Sequence, residues 1–176
     1  MRARFHVALI AALSLPCVLP AQASPVAQAF RDFEASEAKN LVAAAVAMPA
    51  AKYSYHPTPA QMTFAQIVVH LAQGNDFFCS AIGGAAMPTR SKIAATASKD
   101  ALVARLRETF EFCDESLAKL DDTNLSEMLP FFDMPKKSRA GLMTVATGDW
   151  ADHYSQSAIY LRLNGLLPPT AKHPAQ

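Results

Sequence analysis

Apolar positions along most of this chain recur every three or four residues, and they almost never alternate. That spacing belongs to helices that bury one face, and the clusters of turn residues lie too far apart for a series of hairpins. A first helix is predicted from Ser24, an N-cap, with Pro25 at the first helical position, where its missing N–H costs nothing. Phe30, Phe33, Glu37, Leu41 and Ala45 sketch one face, and Met48-Pro49 ends it. Residues 50–62 hold Pro57 and Pro59 and are predicted to be a loop. Thr63 with Gln66 forms a capping box, opening a second helix to about Ile82 with Phe64, Ile67, Leu71 and Phe78 inward. Gly83-Gly84 stops it.

Ser98 is the predicted cap of a third helix, along which Leu102, Leu106, Phe110, Cys113, Leu117 and Leu120 recur at helical spacing. Lys99, Arg105, Glu108 and Glu115 make its solvated face. Residues 124–135 read as a connection whose Phe131 and Phe132 tuck under the end of the bundle. A fourth helix is predicted from Ser138 to Gly165, and Pro168-Pro169 prevents its continuation. The fold class is therefore all-α, a four-helix bundle over residues 24–170 with a short tail, 171–176.

The first 23 residues fall outside this pattern. Arg2 and Arg4, the apolar run Val7 to Leu19 and the small residues Ala21-Gln22-Ala23 predict a cleaved export signal over residues 1–23. The run is shorter than the roughly 20 residues a membrane-spanning helix needs. A periplasmic or secreted protein is expected, with no membrane attachment after cleavage. Loss of Arg2 and Arg4 takes the 16 Lys+Arg to 14 against 15 Asp+Glu, a net charge of −1. Such a balance, without a basic cluster, excludes the electrostatic footprint of a nucleic-acid binder.

Of the three cysteines, Cys17 leaves with the signal. Cys79 and Cys113 remain on two predicted helices amid apolar residues, as a candidate disulfide in an oxidising compartment or as two buried thiols. Their spacing excludes a C-x-x-C redox pair.

Few polar side chains fall on inward faces. His70 sits at the edge of the apolar stripe of the second helix. Asp149 and His153, four residues apart, share one side of the fourth, close enough to hold a single ion. Together they would bring two imidazoles and a carboxylate from two helices, a donor set suited to zinc, nickel or iron. The ordinary alternative is a set of hydrogen-bonded structural groups. Gln156, three residues past His153, is the candidate outer partner that orients its ring. His56 lies in the proline-rich loop and reads as a surface histidine; His173 is in the tail, and Trp150 reads as core. Signatures of serine hydrolases, phosphate loops and H-E-x-x-H sites are missing from the sequence.

The C-terminal run from Asp152 to Pro169 holds His153-Tyr154-Ser155-Gln156, Tyr160-Leu161-Arg162, Asn164-Gly165 and Pro168-Pro169. It resembles the end of DinB-family proteins, whose pattern is His-x-Gly-Gln, Tyr-Leu-Arg, Asn-Gly and Pro-Pro. Thr63 to Ala72 is similar to that family's second helix, and the likeness covers most of residues 26–170. The resemblance implies a DinB-like four-helix bundle that binds a divalent metal through three histidines, one from the second helix and two from the fourth. His70 and His153 match two of them; the third falls on Asp149, and Ser155 stands where the family often has glycine. The implied function is a metal-dependent thiol transferase or hydrolase acting on a small molecule. The alternatives are a non-catalytic bundle that holds a metal or small ligand, and a purely structural bundle that dimerises through its apolar faces.

Overall fold

Among the described residues, each of the four α-helices begins where a side chain takes up N–H groups that the helix itself leaves free. The computed structural model describes residues 24–172. The expected export signal, residues 1–23, and the end of the tail, with His173, lie outside the described residues. Four helices dominate: α1 (Pro25–Ala47), α2 (Phe64–Gly83), α3 (Lys99–Leu117) and α4 (Arg139–Leu163). The Thr63 hydroxyl accepts from the Gln66 N–H, and the Gln66 side chain accepts from the Thr63 N–H, so the capping box is complete. Ser98 and Ser138 accept from Ala101 and Gly141 in the same way. Ser24 precedes α1 but does not cap it. The Asp122 carboxylate, far along the chain, accepts from Val26 at 3.1 Å and Ala27 at 2.8 Å instead. Gly84 and Gly165 close α2 and α4 with φ of 71° and 74°, values that a side chain would strain.

Packing follows an order that differs from the chain order. Helix α2 lies against α3 and α4, and α1 lies against α4 and α3, so chain neighbours α1 and α2 sit across the diagonal. The arrangement puts α2 beside α4, which the site requires. Leu41, Phe64, Ile67, Leu71, Leu106, Leu142, Trp150 and Leu161 fill the shared interior. Fully burying each such Leu, Ile or Phe contributes about 1.5–3 kcal/mol. Cys79 of α2 and Cys113 of α3 are joined in a disulfide, their Cα atoms 5.0 Å apart.

The connection before α4 departs from expectation. It folds into a β-hairpin, β1 (Met128–Phe131) and β2 (Met134–Ser138), with Leu129 opposite Lys137 and a register irregularity before Phe131. Pro130 and Pro135 lack the N–H that a ladder uses, which hid the strands in the sequence. Leu129 and Phe131 face inward. Phe132, expected under the bundle with Phe131, stays 59% exposed at the turn and stacks on Phe77 of α2, ring centroids 3.9 Å apart. Arg139, the first residue of α4, fixes the base of the hairpin: its guanidinium donates to the Ile82 carbonyl and the Glu127 carboxylate.

Candidate metal centre

The capping box starts α2 so that Ile67 and Leu71 point into the core, and His70 between them comes to the rim facing α4. On α4, Ala146 and Trp150 are fully buried, and this rotation turns Asp149 and His153 toward α2. A polar junction locks the two helices in register. The Trp150 indole N–H donates to the Asn75 side-chain oxygen at 2.8 Å, and the Asn75 amide donates to the Thr109 hydroxyl of α3 at 3.2 Å. Thr109 in turn donates to the Leu106 carbonyl. Asn75 is five residues past His70, and Trp150 is next to Asp149, so the junction fixes the site's two halves.

The three residues meet. His70 Nε2 lies 3.2 Å from Asp149 Oδ1, and His153 Nε2 lies 3.5 Å from the same oxygen. The imidazole rings stand 4.6 Å apart, and one donor atom from each residue falls within 4.8 Å of the others. Zinc bonds of 2.0–2.1 Å in a tetrahedron separate neighbouring ligand atoms by roughly 3.3 Å, so the spacing fits a shared ion. A pair of hydrogen bonds would fit it too; the rest of the site separates the two cases. Asp149 Oδ2 and His153 Nδ1 are buried without a partner among the described residues. Buried polar atoms are rarely left so. A cation or a hydrogen-bond donor would satisfy Asp149 Oδ2. His153 Nδ1, across its ring from the Nε2 that faces Asp149, would take an outer partner and not the same ion.

Electrostatics agree with a cation site. Burial would raise the Asp149 carboxyl, but the hydrogen bonds and charges of His153 and His70 outweigh it and hold the group down at about 2. His70 is pushed up by its hydrogen bond to Asp149, against the opposing effect of burial. Asp149 is thus a fixed negative charge inside the protein. Gly74 of α2 lies opposite its outer oxygen: a Cβ there would stand 3.5 Å from Oδ2.

Beside the triad opens a cleft of about 370 Å³, with His70 and Asp149 at one end and Phe78, Phe131, Phe132 and Val145 along its walls. The remaining candidates are elsewhere. Gln156 does not orient His153; its amide donates to the Asp152 carboxylate at 2.6 Å, one turn back on the exposed side of α4. His56 is exposed and bonds to the Thr58 carbonyl. Tyr160 ties the bundle end by donating to the Met62 carbonyl, and Arg162 is exposed.

Asn75, Gly74 and Phe132 were not singled out as site-forming residues by the sequence. Asn75 had a signal, since it lies on the apolar stripe between Leu71 and Phe78, where a polar residue needs a buried partner.

Comparison with known proteins bears on the same region. The family model of the DinB superfamily matches residues 33–157, which include all three donors. A DinB-like protein from Bacillus subtilis has a similar structure, with a TM-score of 0.65, 20% identity, and coverage of 82% of this chain and 99% of that one. A DinB-like protein from Bacillus cereus gives 0.66 at 16% identity over 81% and 95% of the two chains. A conserved protein from Enterococcus faecalis gives 0.63 at 18% identity over 78% and 96%. At these identities the likeness speaks for the fold. No curated protein matches the chain.

Proposed function

Because this chain belongs to the DinB superfamily, we propose that it binds a divalent metal through His70, Asp149 and His153 and uses it on a small molecule as an exported transferase or hydrolase. One observation carries the reading: three donor atoms from two helices converge, and the carboxylate among them keeps a buried oxygen for which the described residues offer no partner. Two imidazoles and a carboxylate suit zinc or iron, and three protein ligands leave a position free, as catalytic sites do. When bound, such an ion supplies Lewis acidity that lowers the pKa of a water or thiol toward neutrality.

The chain's own residues do the rest. Asp149 contributes the negative charge that attracts a cation, and the Trp150–Asn75–Thr109 junction holds α2 and α4 at the spacing the donors need. His70 is the donor that opens to solvent, and His153 is the buried one. Export is supported by the signal-like start of the sequence and by the Cys79–Cys113 disulfide, since such bonds persist in oxidising compartments.

A non-catalytic reading, a bundle that only holds the metal or a small ligand, draws support from one feature. Gln73 is the one further polar side chain along the cleft, and it cannot serve as acid or base. Metal analysis of the purified exported form tests the common ground. Stoichiometric metal in the wild type, lost in both His70→Ala and His153→Ala, is the expected result; equal metal content in all three proteins would overturn the centre. Chelator-sensitive turnover in thiol-conjugation and ester-hydrolysis assays then distinguishes enzyme from binder.

A further inference from the structure

The cleft beside the triad is apolar where a site for a sugar or peptide would be polar. Its walls are Phe78 of α2, Val145 of α4, and Phe131 and Phe132 of the hairpin, while His70 and Asp149 close one end. The hairpin presents Phe132 at a cost. That residue takes φ 48°, in the left-handed region that bulky side chains avoid, and it remains 59% exposed. The stack on Phe77 covers part of the ring, and the rest is left in water at a backbone conformation that Asn or Gly would take more readily. Strain of this kind concentrates at ligand clamps.

We infer that the cleft binds small aryl compounds whose anionic head reaches the triad, with Phe132 as the exposed outer wall of the aromatic half. The head group rests on the metal reading above; the aromatic half rests on the cleft alone. Size agrees, since an apolar cavity of about 150 Å³ accommodates benzene, and the 370 Å³ here admits one or two rings with room for a head group. Ring geometry agrees too. Phe77, outside the lining, backs Phe132 by stacking on it, and Phe78, within the lining, stands edge-on to Phe132, with centroids 6.5 Å apart. A planar ligand entering the cleft would meet faces and edges already set for offset or T-shaped contact.

Two hydroxamates with the same metal-binding head but different bodies test this on the zinc-loaded protein. Benzohydroxamate is expected to bind at least about tenfold tighter than acetohydroxamate. The variant Phe132→Asn removes the ring yet suits the left-handed turn, so the fold and zinc content should survive. In it the preference for the phenyl compound should fall to roughly twofold or less, with acetohydroxamate binding and melting temperature unchanged or the latter slightly raised. Equal affinity of the two hydroxamates for the zinc-loaded wild type would overturn the inference.

If neither hydroxamate binds because no metal is held, the fault lies with the metal reading. The aromatic half is then measured by fluorescence of 2-naphthol on the metal-free protein. Saturable binding lost in Phe132→Asn supports it, and no saturable binding refutes it.

Discussion

Asp149 and Glu34 are both carboxylates taken out of water inside one bundle, and they take opposite electrostatic courses. Asp149 lies on the α2–α4 seam with an imidazole on either side, and its carboxyl is held down at about 2. Glu34 lies on α1, 2% exposed, and burial, reinforced by the nearby Asp114 carboxylate, pushes it up to about 8. Each has one oxygen without a partner among the described residues. Removal from water therefore ends in a standing negative charge at one place and, with deeper burial, a neutral acid at the other. What separates them is the company of ionisable neighbours. Only a carboxylate that stays charged attracts a cation, so an orphaned oxygen alone is a poor guide to a metal site, and an orphaned oxygen on a charged group beside two histidines is a good one.

The widest split should come from neutralising each acid in place. Asp149→Asn should lower zinc affinity by at least about 100-fold, since it removes the charge and a preferred ligand, whereas Glu34→Gln should leave zinc affinity as it was. Calorimetric zinc titration of both proteins checks this. Equal losses would mean that the α2–α4 seam has no special role. Proton competition should follow the same division. His70 must be neutral to bind a metal and is pushed up by Asp149, so wild-type zinc affinity should fall by roughly tenfold per unit as the pH drops below its pKa.

Stability against pH gives the next contrast, with opposite signs. The proton on folded Glu34 stabilises the protein fully below the ordinary value of 4.5, and that contribution is lost as pH rises through about 8. Glu34→Gln should therefore match the wild type at pH 4 and exceed it at pH 9 by on the order of 2–3 kcal/mol. Asp149, depressed from 3.8, stabilises the metal-free protein above 3.8 and loses that contribution as pH falls through about 2. Asp149→Asn should accordingly weaken the metal-free protein at pH 7 by about 1–2 kcal/mol. Denaturant unfolding across pH measures both. A Glu34→Gln curve parallel to the wild type would show that Glu34 ionises freely.

The asymmetry between the two acids also marks what the sequence could disclose. The capping box at Thr63, the glycine stops at Gly84 and Gly165 and the apolar stripes are local signals, and they placed the four helices correctly. The spacing of Asp149 and His153 is local too. Their meeting with His70 is not local, because it depends on α2 packing beside α4 rather than α1, and the family likeness supplied that order in advance of the structure. Glu34 is invisible to periodicity, since it sits one residue from Phe33 on a helix whose face could be drawn through Glu37 as easily. The hairpin stayed hidden because Pro130 and Pro135 erase the strand signal, although Leu129 and Phe131 kept its alternation. Asp122 capping α1 has no local signature, and Asn75, though its place on the apolar stripe shows that it needs a buried partner, gives no sign that the partners are Thr109 and Trp150.

Asn75 tests whether the site depends on a fixed seam. Asn75→Ala leaves the Trp150 indole N–H buried and unpaired and should cost about 2 kcal/mol. Zinc affinity should drop several-fold with it, because the α2–α4 register loosens, and that drop is the informative part. Loss of stability with zinc affinity intact would mean that the triad holds its geometry without the junction.

The smallest effect is also the one in which stability and binding should diverge. Gly74 occupies the middle of α2, where glycine costs about 1 kcal/mol relative to alanine, and no positive φ requires it there. A methyl group at this position would rest 3.5 Å from Asp149 Oδ2, an ordinary contact that strains nothing. It would, however, put hydrocarbon against the oxygen whose partner is missing. Gly74→Ala should thus raise the unfolding free energy of the metal-free protein by roughly 0.5–1 kcal/mol while weakening zinc binding a few-fold. A variant that gains stability and keeps full zinc affinity would mean that the outer oxygen takes no part in the site. The expected result would mean that α2, by keeping glycine opposite an oxygen of α4, gives up stability for access.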